Sequence, residues 1–127
     1  MSRLAKQLEA FVALSRAGRT LEAIERYYAE DVVVFENREL ARAGREKCLD
    51  YERSALAGLA EPPRFELRGA GVDEAREKTF VEWVLHFVTR EGKAFRLEEV
   101  AVQKWDGDRI SEERFYYEGV VDQNDEP

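Results

Sequence analysis

The residues of this chain best suited to chemistry are one imidazole and a set of carboxyls that alternate with apolar side chains. His86, the sole histidine, follows Glu82 by four positions within the segment Lys78 to Arg90. Glu99 and Gln103 fall in the next segment, Phe95 to Trp105. On a strand, side chains an even number of positions apart share a face, so Glu82 can orient the His86 ring, hold one tautomer and exchange a proton with it. His86, Glu82 and Glu99 also offer nitrogen and oxygen ligands, but such groupings arise readily in a chain this acidic, so no metal or other cofactor is expected. Cys48 is the only cysteine. It has no partner for a disulfide, no paired spacing for zinc and no histidine near it in sequence, which makes it a packing residue rather than a nucleophile.

Composition narrows the classes. The 127 residues fit one domain, and 44% hydrophobic with 37% charged residues supply both a core and a solvated surface. A net charge of −7 opposes binding to nucleic acid, because an acidic surface repels phosphates. The longest apolar runs, Val32-Val33-Val34-Phe35 and Val84-Leu85, are far short of the roughly 20 residues that cross a bilayer, so no membrane association is expected. The opening Met1 to Gln7 carries charges and no apolar run, which argues against a secretory signal and for the cytoplasm.

The positioning elements follow from periodicity. Leu4, Leu8, Phe11, Val12 and Ser15 recur at helical spacing up to a stop at Gly18. Thr20 reads as the N-cap of a second helix with the stripe Leu21, Ile24, Tyr27 and Tyr28. The β-branched run 32–35 predicts a short strand, Asn37 to Ala43 a loop, and Gly44 to Leu59 a third helix ended by Pro62 and Pro63. From Arg64 onward four strands form an antiparallel meander, turned at Glu91-Gly92 and Asp106-Gly107. The class is therefore α+β, one domain over residues 1–121, with 122–127 an acidic, flexible tail.

A two-residue turn at Glu91-Gly92 pairs Arg90 with Lys93 and sets Val84 opposite Glu99 and Glu82 opposite Ala101. One face then carries Glu82, Val84 and His86 together with Glu99, Ala101, Gln103 and Trp105. The other carries Val81, Trp83, Leu85 and Phe87 with Val100 and Val102. Trp83, Leu85, Phe87 and Val100 are expected to form an outer dimer face.

The stretch from Tyr27 to Glu36, the Gly44-Arg45-Glu46 helix start and the Trp105-Asp106-Gly107-Asp108-Arg109-Ile110 hairpin running into Arg114-Phe115-Tyr116-Tyr117 resemble the SnoaL-like branch of the superfamily named for nuclear transport factor two. The likeness spans about residues 4–120. It implies a cystatin-like cone, three helices on a curved sheet, whose mouth holds a small apolar or amphipathic molecule, and a homodimer through the outer sheet face. Polyketide cyclases, ketosteroid isomerases, dehydratases and epoxide hydrolases share this fold with plain binding modules, so the site must decide the reaction.

By this resemblance Glu36 stands where ketosteroid isomerases carry a proton-shuttling aspartate. A carboxylate against apolar walls has its charged form disfavoured, which suits it to exchange a proton near neutral pH. The family's tyrosine position falls near Val12 and its second acid near Ala101, so that type of oxyanion hole is not expected, although Glu99 lies two residues away on the same face. Glu36, His86 and Glu82 are thus the expected catalytic groups, and the scheme requires Glu36 and His86 to face one hollow. Tyr28, Tyr51, Glu99, Gln103 and Tyr117 are the expected ligand contacts, with Tyr117 rather than Tyr116 facing inward. Arg38, Arg42 and Arg45 near the mouth leave the charge of the ligand open. The expected function is binding of an apolar or amphipathic metabolite with acid–base chemistry of isomerase, cyclase or dehydratase type. The alternative is a non-catalytic dimeric ligand-binding or protein-interaction module.

Overall fold

The computed structural model describes residues 1–123. Helix α1 (Arg3–Arg16) starts where the Ser2 hydroxyl accepts the Ala5 N–H at 3.0 Å, and it buries Leu4, Leu8, Phe11, Val12 and Ser15. Helix α2 (Thr20–Tyr27) runs directly into strand β1 (Tyr28–Glu36). Strand β2 (Glu39–Ala43) and helix α3 (Arg45–Ala57) follow. The remaining strands are β3 (Arg64–Asp73), β4 (Lys78–Val88), β5 (Ala94–Asp106), β6 (Arg109–Tyr116) and β7 (Val120–Asp122). The sheet order is β2-β1-β6-β5-β4-β3, antiparallel except for the β1 and β6 pair, and β7 adds to the far half of β5. Three helices on this mostly antiparallel open sheet give the α+β arrangement expected from the sequence.

The helices cover the inner sheet face. Leu4, Phe11 and Ile24 pack with Val32, Val34, Leu49, Trp105 and Ile110, while Leu8 and Val12 of α1 meet Val81, Trp83 and Ala101. Phe11, Tyr27 and Trp105 meet edge to face, with centroids 5.8 to 6.4 Å apart. Among the described residues no helix is long and apolar enough to cross a membrane.

Several local expectations are corrected. The stretch Asn37 to Ala43 contains the expected reversal, at Asn37 and Arg38, but the rest of it is a strand. Asn37 takes φ 55° to reverse the chain, and β2 pairs with β1 despite lacking an alternating apolar pattern. Thr20 lies within α2, whose N-cap is Arg19, and its hydroxyl is engaged by Glu52 instead. Asp122, read as the start of the tail, pairs with Phe95 in β7, and residues 124–127 lie outside the described residues.

The largest correction concerns register. Between β4 and β5 the chain turns through three residues, Arg90, Glu91 and Gly92. Thr89 N–H donates to the Lys93 carbonyl and Gly92 N–H to the Thr89 carbonyl, both at 2.9 Å, and Gly92 adopts φ +86°. This is the three-residue hairpin with glycine in the left-handed position. One residue more in the loop shifts the pairing by one, so Trp83 stands opposite Glu99 and Val81 opposite Ala101. Every side chain of β4 thereby changes face relative to the two-residue turn. Trp83, Leu85 and Phe87 point inward and do not form an outer surface. Of the four residues assigned to that surface only Val100 lies there, near exposed Phe80 and Tyr116.

Candidate functional site

Between the helices and the inner sheet face lies a cavity of about 480 Å³. Its far wall is apolar, built from Phe65, Trp83, Leu85, Phe87 and Leu97 of β3 to β5. Among the described residues four glutamates reach the lining from four elements: Glu36 of β1, Glu52 of α3, Glu99 of β5 and Glu113 of β6.

Glu36 is the best-held of them. Asn37, at the turn that ends β1, accepts the Tyr117 N–H on its side-chain oxygen at 3.0 Å and donates its own N–H to Phe115. This fixes the segment after β6 so that the Tyr117 hydroxyl donates to Glu36 Oε1 at 2.5 Å. Arg42, from β2, donates to Glu36 Oε2 at 2.9 Å and lies over the Tyr51 ring, 3.8 Å from its centroid. Burial pushes the Glu36 carboxyl up, but the Tyr117 hydroxyl and the Arg42 guanidinium outweigh it and hold the group below the usual carboxyl value. The same bond pushes the Tyr117 phenol up to about 12.

Glu99 is the opposite case. It is 9% exposed and lines the cavity, and among the described residues no donor reaches its carboxyl. Burial, then the nearby Glu113, Glu36 and Glu52 carboxyls, push it up to about 8. Glu99 therefore carries its proton at neutral pH. Glu52 is raised mainly by burial and accepts a hydrogen bond from Thr20 at 3.1 Å.

Glu113 is buried at the end of a hydrogen-bonded chain. Trp105 Nε1–H donates to Thr79 Oγ1 at 2.9 Å, Thr79 Oγ1–H to Gln103 Oε1 at 2.6 Å, and Gln103 Nε2–H to Glu113 Oε2 at 2.6 Å. The Tyr28 hydroxyl donates to Glu113 Oε1. Burial raises the Glu113 carboxyl, and it also carries the Tyr28 phenol well above its usual value. The chain fixes the inner wall of the cavity by leaving no member of it free to turn.

The expected site residues divide accordingly. Glu36, Tyr28, Tyr51, Glu99 and Tyr117 come together around the cavity, Tyr51 half-exposed at its rim, while Tyr116 faces outward. Gln103 lies behind the wall, fully buried, bonded to Glu113. His86 and Glu82 are corrections: the three-residue loop puts both on the outer sheet face, so neither shares a hollow with Glu36. His86 Nε2 instead meets Glu66 at 3.0 Å, and Glu82 is exposed opposite Gly69. The scheme pairing Glu36 with His86 is therefore lost. Glu52 and Glu113 were not singled out as functional. Glu113 was within reach of alternation, since it shares parity with the inward Phe115 and Tyr117. Among the described residues no group of three or more His, Cys, Asp or Glu side chains is arranged to hold a metal ion.

Comparison with known proteins agrees with this architecture. A family model described as SnoaL-like domain matches residues 8–113. No curated protein matches the chain in sequence. A SnoaL-like candidate polyketide cyclase from Mesorhizobium loti superposes with a TM-score of 0.69 at 22% identity, covering 92% of this chain and 100% of that one. A nuclear transport factor two-like protein of unknown function from Burkholderia pseudomallei gives 0.78 at 14% identity, covering 93% and 92%. The epoxide hydrolase/cyclase-like enzyme SalBIII, of pyran ring formation in polyether salinomycin, gives 0.76 at 12% identity, covering 91% of each chain. At these identities the superpositions speak for the fold, and with the family match over most of its length this chain belongs to the SnoaL-like domain family.

Proposed function

We propose that the protein binds a small apolar or amphipathic metabolite in this cavity and moves protons on it, in chemistry of isomerase, cyclase or dehydratase type. The observation that carries this reading is the contrast between two carboxyls in one hollow. Glu36 is kept ionised by two donors, and Glu99 is kept protonated by burial and by its acidic neighbours, with no donor to offset them. Environments that drive two like groups to opposite protonation states assign a base and an acid within one site. Glu36 accepts a proton from an activated C–H of the substrate. Glu99 offers its proton to the polar atom on which charge develops. The apolar wall of β3 to β5 excludes water and strengthens both interactions. A module acting only through association has no need of a hollow of about 480 Å³, which favours the small-molecule reading over it.

Native mass spectrometry of freshly purified protein tests the binding. A co-purifying molecule, lost when Ala55→Trp fills the cavity, is the expected result. That molecule, returned to the protein in D2O, is expected to gain deuterium with the wild type and not with Glu36→Gln or Glu99→Gln. Exchange at equal rates in all three proteins would remove the acid–base assignment.

A further inference from the structure

The hydrogen bonds of the cavity divide its carboxyl oxygens into satisfied and unsatisfied. Both Glu36 oxygens are taken, by Tyr117 and Arg42, and both Glu113 oxygens by Tyr28 and Gln103. Glu52 has one oxygen engaged by Thr20. Glu99, nine-tenths buried and aimed into the hollow, has neither oxygen engaged among the described residues. Among the described residues no donor is bonded to Glu99 or to the second oxygen of Glu52. The Glu99 oxygens open onto the cavity with no protein partner, so a ligand that brings a donor there makes a hydrogen bond that no side chain competes for.

Charge points the same way. Among the described residues four carboxyls face the hollow, and the one cation with them, Arg42, is already spent on Glu36 and stacked on Tyr51. The groups facing Glu99 are Glu36 from β1, Arg42 from β2, Cys48, Tyr51 and Glu52 from α3, Glu113 from β6, and Tyr28 and Tyr117. Helices α1 and α2 and strands β3 and β4 bring only uncharged side chains to the lining. The neighbouring carboxyls that disfavour a further negative charge on Glu99 favour a positive one in the space before it. Trp83, directly opposite Glu99 in the ladder, sets an indole beside that space.

We infer that the ligand of this cavity is an amphipathic amine, its ammonium group donating to Glu99 and the free oxygen of Glu52 while its apolar body lies along Phe65, Leu85, Phe87 and Leu97. The inference rests on the small-molecule reading above and names its substrate class. With the ammonium bound, Glu99 is the ionised acceptor of its N–H, and the proton that the substrate can pass on is carried by the ammonium itself. Because Glu99 holds a proton in the empty cavity, an arriving ammonium displaces it to solvent, about 0.9 proton per ligand at pH 7 for a group near 8.

Calorimetric titration of the full chain with phenethylamine, phenethyl alcohol, phenylacetone and phenylacetate tests it, because the four differ almost solely in the polar end. Run at pH 7 in two buffers of different ionisation enthalpy, it also counts protons. The amine is expected to bind about tenfold or more tighter than the alcohol and the ketone, with phenylacetate weakest and proton release seen for the amine alone. Glu99→Gln is expected to remove the preference and the proton release while leaving phenethyl alcohol within about twofold. Equal or tighter binding of the alcohol or the ketone overturns the amine assignment, as does a preference that survives Glu99→Gln. Should that variant not fold, the wild-type ranking and proton count decide by themselves. If the alcohol binds without an amine preference and is lost in Ala55→Trp, the inference fails and the cavity reading stands. If no probe binds, or binding ignores Ala55→Trp, both fail.

Discussion

Replacing Glu99 by glutamine keeps the shape and hydrogen-bonding pattern of the protonated acid but removes its ionisation, so the two proteins should differ in how stability depends on pH. The folded state holds the Glu99 proton up to about 8, whereas the unfolded chain releases it near the usual value of 4.5. Between those values the native state binds more protons than the unfolded one, so stability falls as pH rises. The advantage is fully present below 4.5 and is gone by about 8. Each pH unit is worth ~1.36 kcal/mol, so the gap amounts to ~5 kcal/mol, of which ~4 falls between pH 5 and 8.5. Urea unfolding of both proteins at these two pH values isolates the contribution, because Glu52 and Glu113, raised in the same sense, remain in each. The wild type is expected to lose ~4 kcal/mol more than Glu99→Gln on going to the higher pH. Parallel losses would mean that Glu99 ionises normally in the folded protein, and the division of labour between Glu36 and Glu99 would fall with it.

Three further outcomes are expected. Gln103→Leu strands the Glu113 oxygen and the Thr79 hydroxyl in the core, and urea unfolding at neutral pH should show a loss of roughly 1–3 kcal/mol. A loss within experimental error would show that the buried chain contributes nothing to stability. Tyr117→Phe removes one of the two donors holding Glu36 down, so a carboxyl-carbon NMR titration should find Glu36 shifted upward. Because a depressed carboxyl stabilises above 4.5 and ceases to as pH falls through its folded value, this variant should also lose less stability in acid than the wild type. An unmoved titration would show that Arg42 alone governs the group. Gly92→Ala meets no neighbouring atom but must adopt φ +86°, and thermal unfolding should register a cost of about 1 kcal/mol. An unchanged midpoint would contradict the left-handed loop.

Much of the architecture could be read directly from periodicity, because it depends on patterns that span many residues. The stripe Leu4, Leu8, Phe11, Val12 and Ser15 of α1, the β-branched run of β1 and the prolines after α3 each declare their element. What escaped depends on single residues or on distant partners. Strand β2, Glu-Leu-Ala-Arg-Ala, has no pattern of its own and exists because β1 offers it an edge. The site was half legible. Glu36, Glu99 and Tyr117 reach the cavity from strand ends and from a face that β5 alternation identifies. His86 and Glu82 were misplaced because the parity of β4 turns on whether Arg90 belongs to the strand or to the loop. Glu52 was hidden among the apolar positions of α3, where a carboxyl reads as the exposed margin of a stripe unless Thr20, 32 residues away, is known to meet it.

The three-residue reversal after β4 also constrains how this protein can change by insertion and deletion. Losing or gaining a single position there would turn Trp83, Leu85 and Phe87 from the interior to the outer face and bring Glu82 and His86 into the hollow, so length at this corner is under tighter restraint than identity at Arg90 or Glu91. Changes by two preserve the facing, and changes by one require a compensating bulge. Relatives aligned across this corner should therefore be compared by side-chain parity before they are compared by residue type, since a gap misplaced by one position would equate an interior residue with a solvent-facing one.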